Sequence, residues 1–248
     1  MKKTCLLVIL SVAAAGLGGQ IHADPIALDI FNQSTVSAGA GPSPGPGATN
    51  VKDEVNSLPY TTPASANYGS ALAPVAATIT PALTTSELSF AISESVPAFQ
   101  ASSNLLAGVG ADIYFIAGAN VSYALGGSLS VVGNVEDTEL SVSLQNLTTH
   151  AYSYRLGPEE ITNTFLLPTT PTEVNDLGNS TGSLISGDLY EFDAEVDLSN
   201  HTAAQLSGNL DAAFTQAPSV PEPTSLCLLG VGVGALVLLR RRLAASQL

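Results

Sequence analysis

The sequence predicts an all-β protein: an antiparallel β-sandwich or jelly-roll-like ectodomain, with an N-terminal signal helix and a C-terminal transmembrane helix at its ends. Three observations predict it. From residue 83 to 216, apolar side chains recur at every second position in short segments, the pattern of strands that bury one face. Gly and Pro separate those segments. No window of that region carries a capped 3.6-residue apolar period, and Gln100 to Leu106 is the one stretch that suits a short helix.

Residues 1–23 read as a secretory signal peptide. Lys2 and Lys3 form its charged start, Leu6 to Ala15 its apolar centre, and Ala23 and Asp24 flank the expected cut. Residues 24–82 read as mostly irregular and rich in Pro, Gly, Ser and Thr, with one possible edge strand in Asp24 to Phe31. Pro42, Pro44 and Pro46 stand at alternate places within Ser37 to Asn50. Each removes a backbone donor and fixes φ, which argues for a loop or linker there. Tyr60 to Pro81 is more apolar and suits a stretch lying along the surface of the core.

The sandwich domain is expected at 83–216. Glu87 to Ser93 turns Leu88, Phe90 and Ile92 to one side. Asp112 to Ile116, Val121 to Leu125 and Leu129 to Val132 follow, with Gly118, Gly126-Gly127 and Gly133 between and after them. Glu139 to Gln145 alternates again; Ala151 to Leu156 and Thr164 to Leu167 are separated by the turn signal Gly157-Pro158. Ser183 to Ile185, Tyr190 to Leu198 and Leu206 to Phe214 complete about nine short strands, the signature of a sandwich.

Charge and cysteine content narrow the function classes. Between residues 24 and 219 only Lys52 and Arg155 are basic, against twenty of the 21 acidic residues, a net charge of −18. Such a surface has almost nothing to neutralise phosphates, which excludes nucleic acid as a partner. It suits solubility, or divalent cations outside the cell. Cys5 and Cys227 both fall outside that region, so packing alone must stabilise it, and thiolate metal sites and redox chemistry are excluded from it.

The last segment, 217–248, reads as a sorting signal. Pro221-Glu222-Pro223 precedes a charge-free run from Thr224 to Leu239, followed by Arg240, Arg241 and Arg242. As a helix at ~1.5 Å per residue the run is about 24 Å long, slightly short of a ~30 Å hydrocarbon core. The arginines belong on the cytoplasmic side, which leaves everything before Val220 outside.

This combination, from Val220 to Arg242, resembles the PEP-CTERM sorting signal of exported proteins in Gram-negative bacteria that make extracellular polysaccharide. The resemblance implies export, recognition of Pro-Glu-Pro by the membrane protease-transpeptidase exosortase, removal of the tail, and passage to the cell surface or matrix. A second segment, Gly182 to Phe192, resembles a strand-turn-strand hairpin unit of PEP-CTERM ectodomains, with Tyr190 and Phe192 facing inward.

Candidate chemistry in the ectodomain is thin. Glu191, Asp193, Glu195 and Asp197 alternate on one expected strand, so their carboxylates share a face at about 7 Å intervals. Calcium is the hard cation such oxygens suit, but one strand supplies too few of them. The alternative is a solvated face that also shields an edge strand from pairing. The same residues meet glycosidase spacings only as any crowd of acids would, and no tryptophan is present to stack a sugar. His150 and His201 stand in no metal-like pair, no Gly-x-Ser-x-Gly elbow occurs, and Gly230, Gly232 and Gly234 follow no strand. Asn32, Asn120, Asn146, Asn179 and Asn200 fit the N-glycosylation pattern, one that chance produces in a chain rich in Asn, Ser and Thr.

The functional expectation is an exported, non-enzymatic structural protein of the bacterial surface, matrix or biofilm, without a cofactor. Its partners would be the export machinery and signal peptidase, exosortase, and extracellular polysaccharide. Alternatives are a β-sandwich module binding calcium or polysaccharide and, third, a secreted hydrolase.

Overall fold

The computed structural model describes residues 28–31, 33–43, 49–70, 73–97, 104–133, 137–161, 164–168, 177–200 and 203–216. Their strands run in chain order as β1 Leu28–Ile30, β2 Thr35–Ser43, β3 Thr49–Glu54, β4 Ala64–Ser70 and β5 Ala73–Leu83. Next come β6 Glu87–Val96, β7 Asn104–Ala117, β8 Val121–Gly133, β9 Asp137–Asn146 and β10 Ala151–Glu160. The last are β11 Thr164–Leu166, β12 Leu177–Gly178, β13 Thr181–Leu184, β14 Leu189–Asn200 and β15 Ala204–Gln216.

All pairings are antiparallel, in two sheets. One has the order β12-β10-β9-β14-β7-β2-β3, with β1 beside the far end of β7. The other runs β11-β8-β15-β6-β5-β4, with β13 also on β8. Their inward faces share a single core, so the expected all-β, antiparallel, two-sheet architecture is what the chain adopts.

Period-2 alternation builds that core as expected. Leu88, Phe90 and Ile92 of β6 are buried, as are Leu140, Val142 and Leu144 of β9 and Leu206, Leu210, Ala212 and Phe214 of β15. Aromatic rings lock the sheets together across the middle. Phe90 stacks on Phe192 with centroids 5.7 Å apart and Phe115 meets Phe214 edge-on at 5.4 Å, while within one sheet Phe115 also stacks on Tyr190 at 5.8 Å.

Residues 24–82 depart from the irregular reading. The expected short strand is present as β1, but β2, β3, β4 and most of β5 also come from this segment. Their inward positions are Val36, Ala38 and Ala40 on β2, Ala64 and Ala66 on β4, and Val75, Ala77 and Ile79 on β5. Alanine, weak in strand propensity, carries the alternation, which masks it in the sequence. The prolines are accommodated at the ends of neighbouring strands. Pro42 pairs with Leu105 of β7 but lies past the last β3 pair, Ala40 with Thr49. Pro81 pairs with Phe90 past the last β4 pair, Ala64 with Ile79. At each, one flank has no ladder that needs the missing N–H.

Between β1 and β2 a side chain replaces the ladder. The buried Ser34 hydroxyl donates to the Tyr114 carbonyl at 3.2 Å and accepts from the Tyr114 N–H at 2.9 Å. The strand break therefore leaves no orphaned backbone group on β7 at that point.

Four smaller expectations are corrected. Residues 104–106 of the expected helix Gln100 to Leu106 are strand, because Leu105 starts the inward series Leu105, Ala107, Val109; the rest of it lies outside the described residues. Gly126-Gly127 does not divide two strands, since β8 passes straight through. Gly127, at φ 153°, lies so close to β15 that a Cβ would stand 2.5 Å from the Asn209 carbonyl oxygen. Gly157-Pro158 is a register shift within β10 instead of a turn between strands. Finally, Gly182 to Phe192 is not a hairpin. β13 pairs with β8 in one sheet and β14 with β7 and β9 in the other, so the turn at Gly187, φ 85°, arches from sheet to sheet. Tyr190 and Phe192 do point into the core.

Candidate functional site

The sorting residues Pro221, Glu222, Pro223, Arg240, Arg241 and Arg242 lie outside the described residues, as do Ala23, Asp24 and the expected helix 224–239. Among the described residues no helix is long and apolar enough to cross a membrane. Within the sandwich, the polar feature that the fold brings together is the acidic row of β14.

That row is not at an edge. β14 is hydrogen-bonded on both flanks, so the expectation that its charges shield an edge strand is overturned. Because Tyr190, Phe192, Ala194, Val196 and Leu198 fill the core, Glu191, Asp193, Glu195 and Asp197 stand together on the outer face. Pairing adds neighbours the sequence did not reveal. Asp193 lies opposite Asp112 on β7 and Ser143 on β9, and Asp197 opposite Gly108 and Glu139. Glu191 lies opposite Tyr114 and Gln145, and Glu195 opposite Gly110 and Ser141.

Like charges face each other with little to offset them. Burial pushes the Asp193 carboxyl up to about 6, helped by the charges of Asp112, Glu191 and Glu195. Asp197 is likewise pushed up to about 6, by burial and then by Glu195 and Glu139. Asp112 is raised by burial and by Glu191, although a 3.3 Å hydrogen bond from the Tyr114 hydroxyl and the charge of Lys52 oppose the shift. The Tyr114 hydroxyl is raised well above its usual value, first by its hydrogen bond to Glu191.

A second carboxylate sits under this face. Glu94 projects from β6 into the core and is 1% exposed. Neither of its oxygens has a well-formed hydrogen bond; the Val109 backbone favours the ionised form somewhat, without a bond of ordinary geometry. Burial, and then the charge of Asp197, hold its carboxyl well above the usual carboxylate range. Its signal was present in the sequence. Leu88, Phe90, Ile92, Glu94 and Val96 are one alternating series, and ending the strand at Ser93 hid it.

Beside the acidic row runs a shallow groove of about 360 Å3, floored by Gly39, Gly108 and Gly110 and bordered by Lys52, Glu195 and Asp197. At the opposite margin of the same sheet, the Arg155 guanidinium lies over the Tyr152 ring, 5.3 Å from its centroid. The face can therefore hold neutral or cationic groups and repels anions. Among the described residues, no three His, Cys, Asp or Glu side chains are gathered to hold a metal ion.

The remaining candidates separate. His150 is exposed in the turn between β9 and β10, at φ 59°, and His201 lies outside the described residues. Asn146 is buried and donates to Asp188 at 2.8 Å and to the Tyr190 hydroxyl at 3.2 Å, so in the folded chain it is not an open glycan acceptor. Asn120 and Asn179 are exposed.

The family model of the PEP-CTERM protein-sorting motif matches residues 219–242. The chain carries that motif, which marks an exported protein processed by exosortase and sorted at the membrane. No match is found among curated proteins.

Proposed function

We propose that this chain is a non-enzymatic structural protein of the outer surface or extracellular matrix of a Gram-negative bacterium. It is held for a time in the inner membrane by helix 224–239 and released by exosortase at Pro221-Glu222-Pro223. The sorting motif at 219–242 carries the reading. The sandwich supports it: a single apolar core without a cysteine and a charge of −18 between residues 24 and 219 suit a durable, soluble exported part. Signal peptidase would act between Ala23 and Asp24. Replacing Pro221, Glu222 and Pro223 by alanine leaves the protein membrane-bound and at full length, seen by fractionation and immunoblotting; unchanged release of that variant defeats the proposal.

The groove and acidic row favour a second reading, a module that binds polysaccharide or calcium on the β14 face. The observation behind it is the crowding of Asp112, Asp193, Asp197 and Glu139, with Lys52 acting on Asp112. A glycan array and calcium calorimetry on residues 24–217 test it. A flat array together with no heat at millimolar calcium excludes it.

A further inference from the structure

We infer that β4 is an assembly edge, at which two copies of this chain pair antiparallel, strand against strand, about a two-fold axis. Every open sheet needs some device against such pairing, and three of the four margins have one. β3 presents Lys52, Asp53 and Glu54; β12 is two residues long and β11 three. The fourth margin, β4, has none over Ala64–Tyr68, and Gly69, at φ 100°, bends only its end. Its seven residues, Ala64–Ser70, include no charge and no proline, and its register with β5 runs without a bulge from Ala64 opposite Ile79 to Ser70 opposite Ala73. Among the described residues no strand pairs with its other flank, and no backbone bond is made there.

Charge distribution selects a second copy as the occupant. The chain has no charged side chain from Val55 to Ser86, although it carries −18 between residues 24 and 219. Two copies repel one another at the acidic face of β14 and at β3. At β4 no charge of the strand itself opposes them; the charges close by are those of β3, beside it in the other sheet, and these are what raised salt screens. Antiparallel pairing of a strand with its own copy is self-complementary, as a two-fold interface requires. Asn67 is exposed, and Ser65 shares a 3.1 Å hydroxyl contact with Thr78. The outer face of the joined sheet is therefore small, polar and neutral at the seam. A seam of this length is a weak interface, suited to high local concentration.

Asp24–Ala217 forms one compact unit that contains every residue of the core, so it is the species to examine. Sedimentation equilibrium should show a monomer–dimer equilibrium that tightens as salt is raised from about 0.05 to 0.5 M. Asn67→Lys should weaken the association constant at least ~10-fold, with an unchanged melting temperature to show that the fold is intact. Because this unit has no cysteine, Ser65→Cys and Asn67→Cys, alone and mixed, should give disulfide dimers under mild oxidation. Ser183→Cys, on exposed β13, should not. A monomer at all concentrations overturns the inference, as does equal cross-linking through Ser183→Cys. A monomer that instead accepts an unrelated extended peptide at β4 overturns the choice of partner.

Discussion

One side of the core and its middle are built from different materials. β2, β4 and β5 close one side mostly with small residues, Val36, Ala38, Ala40, Ala64, Ala66, Val75 and Ala77, beside Ile79 and Leu83 of β5. β6, β7, β14 and β15 hold the middle with Phe90, Phe115, Tyr190, Phe192 and Phe214, in three direct ring contacts. An aromatic side chain buries roughly 150–250 Å2 and makes specific ring contacts, whereas an alanine contributes little area of its own. The aromatic middle supplies most of the cohesion, and the alanine-lined strands are held by their ladders and by close approach of the sheets.

The largest test of that contrast is Phe192→Ala. It should cost about 3–5 kcal/mol in urea unfolding, since it leaves a cavity opposite Phe90. A loss below about 1 kcal/mol would place the cohesion elsewhere. Next is Ala77→Leu, at a position with no exposed surface, which should destabilise by about 1–3 kcal/mol through overpacking. If it is neutral, the alanine side is looser than its burial indicates.

Glu94 lies where the two materials meet, and Glu94→Leu should stabilise by about 1–3 kcal/mol at pH 7.5, because a buried carboxyl without a hydrogen bond is removed. Thermal melting checks this, and a lower midpoint would show that the carboxyl has a partner. The smallest effects are expected on the outer face. Asp193→Asn and Asp197→Asn should each raise stability at pH 7.5 by about 1 kcal/mol, a modest gain because both groups are partly solvated and water screens the repulsion that the amides relieve. The sign follows from folded values near 6 above the unfolded 3.8. The favourable contribution is complete below about pH 4 and is lost as pH rises through 6. The wild-type melting temperature should therefore fall between pH 5 and 7.5, and the double amide variant should flatten that slope.

The same contrast governs what could be read in advance. Where Leu, Ile or Phe alternates with polar residues, as in β6, β9, β14 and β15, the strands were legible and their inward faces correct. Where the inward residue is mostly Ala, as in β2 and β4, period-2 spacing is present but each inward residue carries little hydrophobic weight. The prolines at 42, 44 and 46 then outweighed it, because nothing local shows that a neighbouring strand stops just short of Pro42. Pairing partners were equally hidden. The row Glu191 to Asp197 was visible, but its place in the middle of a sheet, and its opposition to Asp112 and Glu139, are properties of strand order. The sorting motif was legible for the opposite reason: it is read as linear sequence, so neighbours in space add nothing to it.

The position of β15 has a mechanical consequence. It is the last strand among the described residues, it ends at Gln216 opposite Val121, and in the sequence only Ala217 and Pro218 separate it from the sorting motif at 219. It is also an interior strand, laddered to β8 on one flank and to β6 on the other. Tension applied through the C-terminal end therefore enters the sheet along β15. Both ladders share it in shear, and many hydrogen bonds must give way together where an edge strand would peel off one bond at a time.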